Sequence, residues 1–345
     1  LSLHDALPIS DTLVMESGSS TMFRTMVGLE QEKNRSSSIT SQLLALLLKI
    51  YDALMAYIQD ADRAIQANLK KCKELKSYLS SSSNKAFSVT KSTVVVPGAA
   101  WLTRGNNINA INHMRDLKWQ AAADRKTIAI MNQEFSKMAS AFSVYLGNIY
   151  KSPGHSEINS IRVELNKLTK LLGEFTKNSN DTSVVLSSQP NMGGRQYVLT
   201  KPKSNDPASL LKNYGLFKLK HIQVANFNID SDKPVESLNR SQANDVIDVV
   251  IDINRNMSYV TGFIRELTQG VKNFIRLTTE YNKKLSPEID SAHVSLINAQ
   301  VSLMSTGLKS AATYTKEFVR ISDRTSKASL QYVIKSASGH ISDET

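Results

Sequence analysis

What this sequence lacks is informative before anything it contains. Among 345 residues there is a single cysteine, Cys72, which excludes a disulfide framework and any cysteine-based zinc site. Glycine (14) and proline (8) together stand at roughly half their usual share, which argues against a turn-rich all-β protein. No apolar run reaches the length needed to span a bilayer. Residues 43–58 come nearest, but they are too short and carry Lys49 and Asp52, so a buried central helix is the favoured reading. Catalytic signatures are scarce too. His113, His155, His221, His293 and His340 are scattered, with no His-x-x-x-His pair and no acid at ligand spacing. No Gly-x-Ser-x-Gly elbow and no Gly-Lys-Ser/Thr phosphate loop is present. The expectation is a non-enzyme with no cofactor and no metal.

What is present begins with an oddity. Residues 1–9, Leu1-Ser2-Leu3-His4-Asp5-Ala6-Leu7-Pro8-Ile9, can be written as the codons ctt-tcc-cta-cac-gac-gct-ctt-ccg-atc. That string resembles a common sequencing adaptor translated in frame, so these residues are set aside, and the natural start is expected at Met15, at Met22 or further upstream. The formal charge of +11, from 42 Lys+Arg against 31 Asp+Glu, becomes +12 once Asp5 is removed. A basic balance favours polyanionic partners and says nothing of fold.

Apolar periodicity organises most of the chain. Residues 10–37 are polar and Ser-rich, as expected of a flexible arm. From there Leu47, Tyr51, Leu54, Ile58, Ala61, Ile65, Asn68, Cys72, Leu75 and Leu79 recur in steps of four and three. Such spacing keeps one stripe facing a partner helix. Asn68 is its polar member, a placement that fixes register. Cys72 on this stripe is expected to act as a small hydrophobe, burial opposing the nearby lysines. The basic run 70–76 is expected to complement the helix dipole.

The same rhythm marks residues 128–149, 158–175, 246–274 and 294–321, with helix starts expected at Ser241 and at Ser286-Pro287-Glu288. Two stretches interrupt it: a short strand near 88–96, and a larger β-rich insert at 182–228 that opens its main strand with Gly193-Gly194-Arg195. The predicted fold is mainly α, an elongated bundle of long heptad-patterned helices with a small inserted β-element. Residues 38–181 make the N-terminal half of the bundle and 240–336 the C-terminal half, followed by a tail at 337–345.

Charge gathers in the insert. Arg195, Lys201, Lys203, Lys212, Lys218 and Lys220 face only Asp206 across residues 182–228, and Tyr197, Tyr214 and Phe217 lie between them. Lysines on a sheet can contact phosphates without reading sequence. They can equally guard a solvated sheet edge against pairing. The sequence leaves both readings standing.

The order of these segments resembles that of the internal head proteins of large contractile-tailed bacteriophages: a polar arm, long helices, the Gly-Gly-Arg turn into residues 196–200, a basic strand in 216–227, then a capped helix. The likeness covers roughly residues 20–285. It implies a virion structural protein of the head interior, present in host cytoplasm during assembly, with DNA, capsid or other virion proteins and a prohead maturation protease as partners. It also implies a propeptide cut after a glutamate that has a small residue two positions earlier; Gly28-Leu29-Glu30 in the arm fits, making Glu30 the candidate processing site. Readings from other classes are a helical pore-forming or membrane-remodelling protein using residues 43–58, and a plain coiled-coil module whose seams pair between chains as an oligomer.

Overall fold

The computed structural model describes residues 36–81, 92–149, 176–203, 218–229, 234–284 and 291–338. Among them the chain is mainly α: four long helices, α1 (Ser36–Ser81), α2 (Ala110–Ile149), α3 (Arg240–Lys284) and α4 (Ser291–Ser338), with two small antiparallel sheets. At 1.5 Å per residue each helix runs about 60–70 Å. Residues 10–35 of the arm with Glu30, the expected seam at 158–175, the helix start at 286–288, and residues 339–345 of the tail lie outside the described residues; the helices take in 36–37 of the expected arm and 337–338 of the expected tail, where Ala337 is buried.

Helix α3 packs against all three of the others, and α4 also packs on α1. The sequence explains why α3 sits at the centre. Val246, Val250, Ile253, Met257, Val260, Ile264, Leu267 and Val271 form its expected seam and are all buried. Ala243, Ile247, Asn254, Thr261 and Thr268 add a flanking buried row, so more than one face is covered. Each fully buried aliphatic side chain contributes about 1.5–3 kcal/mol. In α1 the stripe is likewise buried from Leu47 to Leu79, with Tyr51 half-buried.

The polar member of that stripe has partners. Asn68 donates from its amide to Asn254 Oδ1 and to Asp323 Oδ1, both at 3.2 Å, joining α1 to α3 and α4 in one layer. Asn254 in turn donates to Ser326 Oγ at 3.0 Å.

The termini of the helices depart from expectation in two places. Helix α3 is capped by Asn239, whose Oδ1 accepts the Gln242 amide at 2.9 Å while Gln242 returns its side-chain oxygen to the Asn239 amide. This reciprocal box, one residue before the helix begins, displaces Ser241 as the cap because Ser241 already lies inside the first turn. No basic residue stands in the last turn of α1. Two lysines of the 70–76 run pair with side chains instead, Lys71 with Glu74 and Lys76 with Asp248, and Arg240 reaches across from α3 to the Leu79 carbonyl.

The small sheet pairs β1 (Thr93–Val94) with β6 (Val235–Glu236). The larger is a meander of four antiparallel strands, β2 (Thr176–Ser179), β3 (Ser183–Ser187), β4 (Arg195–Pro202) and β5 (Lys218–Gln223), in spatial order 2-3-4-5. It begins earlier than the expected insert because β2 is recruited by pairing with β3.

Candidate functional site

Strand alternation divides the basic residues of the insert. Opposite residues in an antiparallel pair share a face. Tyr197 stands opposite His221, and Leu199 opposite both Leu186 and Leu219. Tyr197, Leu199 and Leu186 are buried, so this face is the inner one, and Arg195 and Lys201 belong to it. Lys218 and Lys220 lie opposite Thr200 and Val198 on the outer face, where both are exposed. Lys203 follows β4 and is exposed; Lys212 lies outside the described residues. The structure therefore brings Lys218 and Lys220 together and turns Arg195 and Lys201 away from them. It adds Lys309 of α4, which is half-buried and held below the usual lysine range by burial and by the charge of Lys218.

Under the inner face lies a polar centre. His221 Nδ1 is 2.9 Å from Glu317 of α4, Arg320 Nη2 is 2.8 Å from the same carboxylate oxygen, and Arg320 Nη2 stands 3.2 Å from His221 Nδ1. Burial alone would push the Glu317 carboxyl up, but the contact with His221 and the charges of His221, Arg320 and Lys316 outweigh it and hold the carboxyl below its ordinary value. The Tyr197 ring tilts against both His221 and Tyr314, at 5.3 and 4.8 Å between centroids. Beyond Tyr314, which reaches Thr127 Oγ at 3.3 Å, sits Asp124 of α2. It is fully buried and pushed up to about 7, although Gln120 Nε2 donates to its Oδ1 at 2.8 Å. Gln120 Oε1 accepts the Met192 amide at 3.1 Å, which closes the link to the turn before β4.

That turn shows why two glycines precede Arg195. Gly193 and Gly194 hold φ of +74° and +60°, in the left-handed region. A Cβ on Gly193 would come within 2.6 Å of Trp101, and one on Gly194 within 2.2 Å of Phe227. The amide of Gly193 donates to the Thr103 carbonyl at 2.9 Å, and the Gly194 carbonyl accepts from Val224 at 2.8 Å. The geometry shows the expected structural turn.

Chemically the centre offers cations and one paired carboxylate, with no group of His, Cys, Asp or Glu among the described residues placed to hold a metal. Cys72 is buried and its thiol is pushed up to about 11, mainly by burial against the opposing charge of Lys76. No described helix is long and apolar enough to cross a membrane. Glu317, Arg320, Arg324, Lys309 and Asp124 were not singled out by sequence reasoning. The i,i+3 and i,i+4 spacing of Glu317, Arg320 and Arg324 was the available signal.

A family profile described as phiKZ-like phage internal head proteins matches residues 11–340. The chain belongs to this family. The match is wider than the likeness read from the segments and leaves the adaptor-like residues 1–9 outside it. No curated protein and no solved structure matches. In this internal head protein residues 11–37 of the arm, the four described helices and both sheets fall within the matched residues.

Proposed function

We propose that the protein is a non-enzymatic component of a phage virion, packed inside the head with the genome. Membership of the internal head protein family over residues 11–340 is the observation that carries this reading. Its work is mechanical and electrostatic. The buried seams of α1 and α3 and the polar layer at Asn68 hold long helices in fixed register, the basis for reading the fold as an elongated heptad-patterned bundle. The outer face of the larger sheet presents Lys218 and Lys220, with exposed Lys203 following β4, as point charges for phosphates of any sequence. Capsid or other virion proteins are its further partners, and a prohead maturation protease cuts after Glu30.

Binding of the full chain to arbitrary duplex DNA tests the electrostatic half. Affinity should be measurable at low salt and fall steeply as salt rises, the logarithmic slope shrinking by about one for each phosphate-contacting lysine removed. Lys218→Gln with Lys220→Gln should weaken binding to all duplexes alike. Binding that ignores salt, or that survives this double substitution unchanged, refutes it. Processing has its own readout: the N-terminal peptide recovered from mature particles should begin at Gln31, and an intact arm in mature particles contradicts the cut.

A further inference from the structure

Arg195 opens β4 and faces inward with Tyr197 and Leu199. Its cross-strand partner is Gln223, two residues from His221, so Arg195 and His221 are diagonal neighbours on one face. His221 touches Glu317 and Arg320. Arg324 lies one turn beyond Arg320 on the same side of α4, its guanidinium 5.3 Å from the Trp101 ring. Three guanidinium groups from two elements thus gather at one end of the sheet with a single carboxylate among them.

The charges do not balance within this group. Glu317 Oε2 lies within ion-pair distance of both His221 and Arg320, although it is buried and neither contact has hydrogen-bond geometry. Among the described residues the Arg195 guanidinium has no hydrogen-bond or ion-pair partner, and its Nε is buried. Arg320 Nε and His221 Nε2 are buried and unpaired as well. Among the described residues Arg324 meets the face of Trp101. The Arg195 guanidinium is held below its usual range by burial first and then by the charge of Arg320, with Arg324 adding to it. An unpaired buried donor is costly, more so when it is charged, so these nitrogens mark a place that a ligand completes. Access is graded: Arg324 is exposed, the Arg320 side chain is 31% exposed, and His221 at 6% forms the floor.

We infer that Arg195, Arg320 and Arg324 form an oxyanion site that takes a phosphate group. Three planar forks less one carboxylate leave two positive charges, which matches a phosphate with three free oxygens better than a carboxylate with two. The site is separate from Lys218 and Lys220, which lie on the opposite face of the sheet, and it does not depend on their binding DNA.

The test titrates the full chain with inorganic phosphate at constant ionic strength, chloride making up the balance, and reads both the unfolding temperature and calorimetric heat. Phosphate should raise the unfolding temperature in a saturable way where matched chloride does not. Arg195→Gln should weaken phosphate binding about tenfold or more. Arg324→Gln should do the same from an exposed position where folding is undisturbed, so a fold defect in the first variant leaves the test intact. Arg195→Lys, which keeps charge and loses the fork, should fall between. Lys218→Gln and Lys220→Gln should leave phosphate affinity unchanged. A duplex that displaces phosphate identifies nucleic acid as the source of the group; phosphate that stays bound identifies a free phosphate or monoester, and the site stands in either case. Equal effects of phosphate and chloride, or arginine variants that bind as the parent does, overturn it.

Discussion

Substituting Gly194 by alanine probes the turn that sets β4 over α4. Two costs add. At φ of +60° an L-residue meets its own carbonyl, worth about 1–2 kcal/mol. The new methyl would also lie 2.2 Å from both Cγ and Cδ2 of Phe227. Those atoms are at the root of the ring, so the ring cannot swing aside and the loop itself must shift, at about 1–3 kcal/mol. The sum is about 2–5 kcal/mol, to be read as a drop in the urea midpoint by far-UV circular dichroism. Gly105→Ala, where nothing lies within 4 Å of the added carbon, is the control and should stay within about 0.5 kcal/mol of the parent. Combining Gly194→Ala with Phe227→Ala should show a coupling of about 1–3 kcal/mol, since the second change removes the overlap and leaves only the backbone strain. A loss below about 0.5 kcal/mol for Gly194→Ala, or additive behaviour of the pair, refutes the reasoning.

Other perturbations separate buried from exposed chemistry. Asn68→Ala leaves the Asn254 and Asp323 oxygens without their amide donor and should cost about 1–3 kcal/mol, whereas Asp62→Ala, which breaks the exposed pair with Arg265, should cost under about 1 kcal/mol; urea melts decide. The Asp124 carboxyl titrates near 7 when folded and at an ordinary 3.8 when unfolded, so its contribution is present at low pH and is lost as pH rises from about 4 to 7. Relative to Asp124→Asn, the parent should therefore lose up to about 4 kcal/mol across that window, and a pH-independent difference contradicts the burial argument. His113 works in the opposite sense. Its imidazole is lowered to about 4 by burial, so its contribution is present above about 6.5 and lost as pH falls towards 4; Asp124→Asn should unmask this acid sensitivity. Gly262→Ala, inside α3 with open space around it, should stabilise the protein by about 1 kcal/mol.

The helices were legible where mainly apolar residues cover the contact. The α1 and α3 stripes repeat in steps of three and four, and each reappears as a buried row. The C-terminal half of α4 was not legible in this way. Ser322, Thr325, Ser326, Ser329 and Ser336 are buried there, small residues that let α4 pack closely against its neighbours while looking polar in a hydropathy pattern. Ser336 even accepts the Leu238 amide at 3.0 Å. Strands β3 and β4 announced themselves through Val184-Val185-Leu186 and Tyr197-Val198-Leu199, but β2, with only Thr-Lys-Asn-Ser, exists because β3 offers it a partner. The basic insert was readable as a sum of charge and not as a surface, since the two-residue period of a strand sends Arg195 and Lys220 to opposite faces. The pairing of His221 with Glu317 joins residues far apart in the chain, and no local spacing contains it.

Protease protection in purified particles tests the central claim most directly. An internal head protein should be found by mass spectrometry in intact, DNA-filled virions, resist an added protease there, and become digestible once the heads are opened. A chain that is missing from virions, or that is digested on intact particles, contradicts the assignment to the head interior.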